Sequence, residues 1–332
     1  MIRLVQLQAH SGERRTGLVD GGSIRLLGAC DSIYAIALRA IHSEVPIQTL
    51  ASDIVSNITA PYDAVYTGQS EWILLPPFDH PEEPARCLVS GTGLTHKASA
   101  LNRQAMHAKA EELNDSIRMY QLGVEGGRPA PGSIGVEPEW FYKGHGTILR
   151  AHGEPLLIPP YAVDGGEEPE IAGAYVIDDI GSPRRIGLMM GNEFSDHRLE
   201  KRNYLYLAHS KLRTCSIGPE LIVDAGFGDV RGRVAIERGG RILWSKPVAS
   251  GEANMCHSLA NLEHHHFKYS EHCRPGDAHI HFLGADAFSF GDGIVLEDKD
   301  EMVVAFEGFG RPLRNPVQVE PRPALFVPVI PL

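Results

Sequence analysis

The chain has 332 residues, of which 43% are hydrophobic, enough for one large domain and a smaller one. Its formal net charge of −11, with no basic block to offset it, argues against nucleic acid and anionic membranes as partners. The five cysteines are widely spaced and form no C-x-x-C pair, and the sequence holds no long apolar run that would span a membrane. We therefore expect a reduced, cytoplasmic protein.

Residues 1–80 predict a small N-terminal α/β domain. Short alternating strands over residues 1–27 precede a helical stretch at 30–56, for which Asp31 is the expected N-cap. Residues 74–85 contain four prolines and predict a linker to a catalytic domain at 86–332.

The larger segment predicts a β-rich core with a few helices rather than a doubly wound parallel sheet. A mixed-charge helix is expected at 97–122, as a lid or with a solvated face, and another helix at 253–272. Residues 232–245 predict a hairpin with Gly-Gly at its tip. The consecutive histidines 264–266 cannot share one helix face, so a polar helix surface is expected there.

Two acidic residues open one apolar run and a third closes the next. Glu168 and Glu170 are two apart, so in a strand their side chains point to the same face, and Glu193 ends the following strand-like run. Three carboxylates brought together by paired strands suit Mg²⁺, Mn²⁺ or Ca²⁺ better than zinc. The spacing of the pair alone is also typical of a solvated strand edge.

Several motifs occur together in one order and resemble the fumarylacetoacetate hydrolase-like superfamily over roughly residues 86–320. The resemblance implies an α+β, β-rich fold with a mixed β-roll core around one divalent metal, Mg²⁺ or Mn²⁺, and a homodimer or higher homo-oligomer. The matching stretches are FYKG (141–144), HGEPLLIPP (152–160), E-x-E (168–170), GLMMGNEFSDH (187–197), SKLRTCSIGPELIV (210–223) and GFGRPLRNPV (308–317).

Carried over position by position, the resemblance makes Glu168, Glu170 and Glu193 the metal ligands. It makes Lys143 and Lys211 the active-site lysines. The chain departs from the superfamily pattern at the third ligand, where Glu193 replaces an aspartate, and at 196–197, where Asp-His replaces Ala-Arg.

A second departure concerns catalysis. Hydrolases of the superfamily carry a His-Glu dyad near the start of the core, which activates water for C–C cleavage. Alignment on residues 93–96 puts Ser99 and Asn102 at those two positions, and neither can act as a general base near pH 7. His96 and His107 lie nearby in the sequence and could substitute.

One branch of the superfamily that also lacks the dyad comprises the 2-keto-3-deoxy sugar acid dehydratases. Residues 203–211 and 138–143 resemble its motifs around the two lysines. The resemblance implies dehydration of a pentonate, such as 2-keto-3-deoxy-D-arabinonate or xylonate, to 2-oxoglutarate semialdehyde, in pentose catabolism.

The implied mechanism is metal-stabilised enolate formation followed by loss of the C4 hydroxyl. Lys143 is the candidate base for the C3 proton, and Lys211 is expected to hold the substrate carboxylate. Ser99 is a candidate for assisting the departure of the hydroxyl, as are Thr95 and His96. The residues expected to contact the substrate are Thr95, His96, Tyr142, His209 and His281.

Two alternatives stay open at this point. One is a C–C bond hydrolase or decarboxylase acting on an acylpyruvate or diketo acid, with a histidine supplied from elsewhere; it predicts release of pyruvate or CO₂. The other is a metal-stabilised sugar-acid sensor or binding module, which predicts stabilisation by ligand without turnover.

Overall fold

The computed structural model describes residues 1–28, 30–107 and 115–332, without the side chains of 102 and 105–107. Within these ranges the protein is β-rich with short helices, as predicted. The strands are β1 Ile2–Ala9, β2 Arg14–Asp20, β3 Ser23–Leu27, β4 Val55–Pro61, β5 Trp72–Leu74, β6 Cys87–Gly93, β7 Glu139–His145, β8 Leu149–Arg150, β9 Leu156–Ile158, β10 Pro169–Ile177, β11 Pro183–Asn192, β12 Cys215–Ile217, β13 Leu221–Val223, β14 Val230–Arg238, β15 Arg241–Ser250, β16 Ala278–Phe282, β17 Glu301–Phe306 and β18 Leu313–Val319. The helices are α1 Ile33–Ser43, α2 Ile47–Asp53, α3 Tyr62–Tyr66, α4 Lys97–His107, α5 Asp115–Gly126, α6 His197–Arg202, α7 Leu207–Lys211 and α8 Leu259–Phe267.

Two sheets form the framework. In the larger one the strands follow the order β4-β3-β2-β1-β13-β11-β10-β16-β6-β7, with β5 paired to β1 and β12 paired to β11 and β8. The smaller sheet has the order β15-β14-β17-β18-β9, and its β14–β15 hairpin confirms the one predicted at 232–245.

Strand β10 lies at the centre, and every one of its residues is buried. Because successive strand side chains point to opposite faces, Ala172 and Ala174 pack into a core with Ile33 of α1, while Ile171 packs into a second core with Val304 of the smaller sheet. A continuous apolar run is typical of a strand covered on both faces.

The N-terminal strands extend the same large sheet. β1 pairs with β13, with Leu4 opposite Leu221, and Leu4 lies in the central core. The outer strands also share a core of their own around Val5, Ile24 and Tyr62. The division at 80–86 stays a prediction.

The helices differ in detail from their predicted extents. Ser32, rather than Asp31, caps α1, because the Ser32 hydroxyl accepts a hydrogen bond from the Ala35 N–H at 3.1 Å. The segment 97–122 corresponds to α4 and α5, and residues 108–114 lie outside the described residues. The described helices include none long and apolar enough to cross a membrane.

The polar helix surface expected at 264–266 is wrong for two of the three histidines. His265 and His266 are buried: His265 Nε2 lies 3.0 Å from the Gly135 carbonyl, and His266 packs against the large sheet. The His266 Nε2 lies 3.0 Å from Nδ1 of His279 on β16, so these two imidazoles share one buried hydrogen bond.

Candidate active site

Three carboxylates meet at one end of the β10–β11 hairpin. The register pairs Pro169 with Asn192, and the Glu193 N–H donates to the Glu168 carbonyl at 2.9 Å, so Glu168 and Glu193 lie directly opposite each other. Glu170 shares the face of Glu168, two residues along the strand. One oxygen from each carboxylate lies within 4.8 Å of the others, and all three side chains are buried.

Of the three carboxylates, Glu170 is the one whose negative charge is least favoured by its surroundings. Burial, together with the negative charges of Glu193 and Glu168, raises the pKa of Glu170 well above its usual range. Its Oε2 accepts the Gly284 N–H at 2.6 Å. Gly284 has φ of 103°, and a Cβ there would meet the Thr95 hydroxyl at 1.9 Å, so glycine is required for this contact.

The two predicted lysines lie against the other two carboxylates. The Lys211 ammonium, at the end of α7, is 2.7 Å from Glu168 Oε1 and 2.6 Å from Glu193 Oε2. Burial alone would lower the pKa of Lys211, but Glu168, Glu193 and Glu200 raise it above its usual range. Lys211 is therefore a charged group in this site.

Lys143, on β7, uses all three of its N–H donors. Its Nζ is 2.6 Å from Glu193 Oε1 and donates to the backbone oxygens of Phe194 at 2.6 Å and Lys211 at 3.0 Å. These three contacts fix the position of the amino group, which in turn orients Glu193.

A second set of buried charges surrounds the trio and was not predicted from the sequence. Arg103 on α4 bonds both oxygens of Glu139 at 3.0 Å, and its other terminal nitrogen is 3.3 Å from Glu200. Glu200 also accepts the Ser210 hydroxyl at 2.6 Å. Glu139 belongs to the motif at 138–143 and could have been found there, whereas Arg103 lies on a helix with no motif around it.

His197 also contacts the carboxylate of Glu168. Its Nε2 is 2.9 Å from Glu168 Oε1, and its ring stacks on Phe288 with 4.7 Å between centroids. A Cβ at Gly166 would meet His197 Nδ1 at 2.3 Å, so the slot for the ring depends on glycine. The histidine at 197, where the resemblance led us to expect an arginine, thus bonds a predicted metal ligand.

The charges of the site fit a divalent cation. Five buried carboxylates face two ammonium groups and one guanidinium, and the formal charges of these eight groups sum to −2. The predicted ligands offer only oxygen atoms, the donors that Mg²⁺ and Mn²⁺ prefer. A cation between the carboxylates would also remove the repulsion that raises the pKa of Glu170.

The predicted residues at the β6–α4 junction lie near this cluster and are buried. The Thr95 hydroxyl contacts His96 Nδ1 at 2.9 Å and the Leu283 carbonyl at 3.0 Å, next to the Gly284 that bonds Glu170. Ser99 is buried in the first turn of α4. The side chains of Asn102 and His107 lie outside the described residues.

Three predicted substrate contacts are not brought to the cluster. Tyr142 alternates with Lys143 along β7 and is 40% exposed. His209 lines a depression beside Tyr206 on the outer side of α7.

His281 is the third. It pairs with Gly173, so it projects from the face of the sheet opposite to Glu170, where its ring nitrogens contact Ser90 at 2.8 Å and Thr92 at 2.7 Å. The expected wall of a substrate pocket is instead part of a buried histidine layer with His266.

No protein-family model matches the chain, and no curated protein matches it in sequence. Solved structures do match in fold. A 2-hydroxyhepta-2,4-diene-1,7-dioate isomerase from Mycobacterium marinum superposes with a TM-score of 0.59 at 17% identity, covering 97% of this chain and 100% of that one. The chain has the fumarylacetoacetate hydrolase-like α+β fold, as the sequence predicted.

A particular enzyme with this fold superposes more closely than that isomerase. The apo form of 2-keto-3-deoxy-D-arabinonate dehydratase matches with a TM-score of 0.70 at 18% identity, over 96% of this chain and 100% of that chain. The same enzyme, complexed with magnesium and 2,5-dioxopentanoate, matches equally well.

Proposed function

We propose that the protein is a metal-dependent hydro-lyase that dehydrates a 2-keto-3-deoxy sugar acid. The proposed substrate is a pentonate such as 2-keto-3-deoxy-D-arabinonate or xylonate, and the product is 2-oxoglutarate semialdehyde, which is 2,5-dioxopentanoate. One observation carries the proposal: three buried carboxylates converge beside Lys143 and Lys211 in a fold shared with a solved dehydratase of this substrate class. In the alignment on residues 93–96, Ser99 also falls at a position where hydrolases of the superfamily carry a residue of the water-activating dyad.

Glu168, Glu170 and Glu193 would hold Mg²⁺ or Mn²⁺. When bound, such an ion supplies Lewis-acid stabilisation of negative charge on the keto oxygen of a 2-keto acid. His197 and Lys143 would keep two of the ligands in place, because each contacts a ligand carboxylate within 2.9 Å.

The lysines have separate proposed roles. Lys211, charged and buried, is our candidate for holding the substrate carboxylate. Lys143 is our candidate for the group that takes the C3 proton, because its Nζ lies 2.6 Å from Glu193, beside the proposed metal site. Ser99 is the candidate for hydrogen-bonding the departing C4 hydroxyl.

A product assay tests the proposal. The protein is given Mg²⁺ and 2-keto-3-deoxypentonates of both C4 configurations, and the semialdehyde is followed with a coupled aldehyde dehydrogenase. We expect a signal that disappears with EDTA and falls at least 100-fold in Glu170→Gln. The matched control is Glu263→Gln, which removes a largely buried carboxylate bonded to Tyr175 and Arg185, away from the trio, and keeps the activity.

Two other outcomes would reject the dehydratase. Pyruvate released from a diketo acid, with no semialdehyde, would assign the protein to the C–C hydrolases. The first base to test would then be His96, which is buried beside Thr95 and whose pKa burial lowers to about 4. Thermal stabilisation by sugar acids without any product would instead indicate a binding module.

A further inference from the structure

Residues 321–332 form an apolar arm that contacts little of its own chain. The arm has no strand or helix, and it contains four prolines. Five of its apolar side chains are 79–90% exposed: Leu325, Phe326, Val327, Val329 and Ile330. Single exposed apolar residues are ordinary on a protein surface, but a continuous run of this kind marks a contact surface.

The prolines indicate how the arm binds. Proline has no N–H to donate and favours an extended polyproline conformation, so Pro323, Pro328 and Pro331 disfavour addition of the arm to a sheet edge. Extended proline-rich segments dock by their side chains into grooves lined with aromatic residues.

Such a groove is present on the same chain. Two adjoining depressions of 380 Å³ and 350 Å³ share Tyr161, Leu212 and Arg213 as lining residues. Tyr142 lines the first depression and Tyr206 the second, and both are 40–45% exposed, while Tyr161 is 68% exposed. We call this surface the Tyr161 groove.

The root of the arm lies beside the groove. The Glu320 N–H donates to the Ile158 carbonyl at 3.0 Å, and the next residue, Pro159, lines the groove together with Tyr161. A two-fold interface uses the same patch of both copies, so an arm rooted beside the groove can reach the groove of the second copy. Twelve residues in an extended conformation reach roughly 37 Å, which is enough to cross such an interface.

We propose that residues 321–332 of one copy dock in the Tyr161 groove of a second copy, and that the exchange is reciprocal. Each fully buried side chain of this size removes roughly 60–120 Å² from water. Five side chains on each of two arms, with the surfaces they cover, bury about 1,200–2,400 Å², which is the size of a stable interface.

The exchange would also affect the candidate active site. Lys143 lines the groove and also contacts Glu193 of the carboxylate trio. A docked arm therefore covers the outer side of a residue that orients one of the predicted metal ligands.

Disulfide cross-linking between copies tests the proposal. Two differently tagged full-length copies are co-expressed in a Cys273→Ser background, one carrying Phe326→Cys and the other Tyr161→Cys; the other native cysteines are buried. We expect a cross-linked product that carries both tags. Replacing Tyr161→Cys by Ile180→Cys, in an 84% exposed position on the β10–β11 turn, is the matched control and gives none.

Two results would overturn the proposal. One is absence of the two-tag product. The other is a disulfide that forms only within a single chain carrying both substitutions, which would mean that the arm folds back on its own groove.

Sedimentation velocity provides a second measurement without new cysteines. Phe326→Asp should weaken self-association at least 100-fold, because an aspartate cannot be buried in an aromatic groove, while Ile180→Asp should leave it unchanged. An unchanged association constant in Phe326→Asp would contradict the arm exchange.

Discussion

Replacement of Lys211 by methionine isolates the contribution of one buried charge to the site. Methionine keeps most of the side-chain volume but removes the ammonium that lies 2.7 Å from Glu168 and 2.6 Å from Glu193. Both carboxylates and the lysine are buried, so water cannot replace the lost charge. The formal charge of the cluster changes from −2 to −3.

The expected loss of stability follows from these contacts. Removing one partner of a buried ion pair costs about 3–5 kcal/mol, because the remaining charge is left unpaired. For 332 residues the unfolding entropy is about 0.7 kcal/mol per degree, so the melting temperature should fall by roughly 4–7 °C in EDTA. Mg²⁺ should narrow this gap, because a divalent cation binds the more negative cluster more tightly.

Thermal unfolding of wild type and Lys211→Met, each in EDTA and in Mg²⁺, measures both effects. Lys246→Met is the matched control, since Lys246 is exposed and its pair with Asp292 is worth less than about 1 kcal/mol. Equal melting temperatures for the two variants in EDTA, or a gap that Mg²⁺ leaves unchanged, would refute the account of Lys211 as the counter-ion of the metal ligands.

Three further predictions concern buried histidines. His197→Gln should weaken Mg²⁺ binding roughly 10–100-fold in calorimetry by releasing Glu168, and an unchanged affinity would exclude a positioning role. Gly166→Ala should weaken Mg²⁺ binding to a similar extent, because the new Cβ displaces the His197 ring. A Mg²⁺ affinity equal to or tighter than that of the wild type would contradict the steric argument. Burial lowers the pKa of His281 to about 3, compared with about 6.5 in the unfolded chain. Its contribution to the free energy of unfolding is therefore constant above pH 6.5, and it falls by about 1.4 kcal/mol for each pH unit below that. Urea unfolding at pH 7.5 and 4.5 should show a loss of roughly 2.7 kcal/mol from this residue, and an equally acid-labile His281→Gln variant would disprove the assignment.

Local pairing made the carboxylate trio accessible to prediction. Glu168, Glu170 and Glu193 come from two strands joined by a short turn, so alternation along one strand and antiparallel pairing with the next bring them together. The hairpin with Gly239 and Gly240 at its tip was predictable for the same reason.

The charges around the trio depend on packing between distant segments. Arg103 reaches Glu139 and Glu200 because α4 lies over β7 and α6, and no spacing along the sequence encodes that arrangement. To predict whether His281 contacts the substrate, one must know which face of the sheet its side chain points to. That face is set by the register of β16 with β10, two strands about a hundred residues apart.

For Lys143, the sequence predicted the residue but not its surroundings. Its motif predicted an active-site lysine, but not the backbone carbonyls of Phe194 and Lys211 that its Nζ contacts. Such carbonyls carry no residue identity and are invisible in the sequence.

The pairing of β1 with β13 has a consequence for how the chain folds as it is made. Ile2, Arg3 and Leu4 lie opposite residues 221–223, so this part of the strand edge stays unpaired until some 220 more residues have been synthesised, whereas residues 7–9 pair with β5 much earlier. At typical elongation rates this takes roughly 10–40 s, during which residues 2–4 lack their partners on β13. The nascent chain is therefore exposed to mispairing for most of its synthesis, and holding chaperones should bind it before residue 223 emerges from the ribosome.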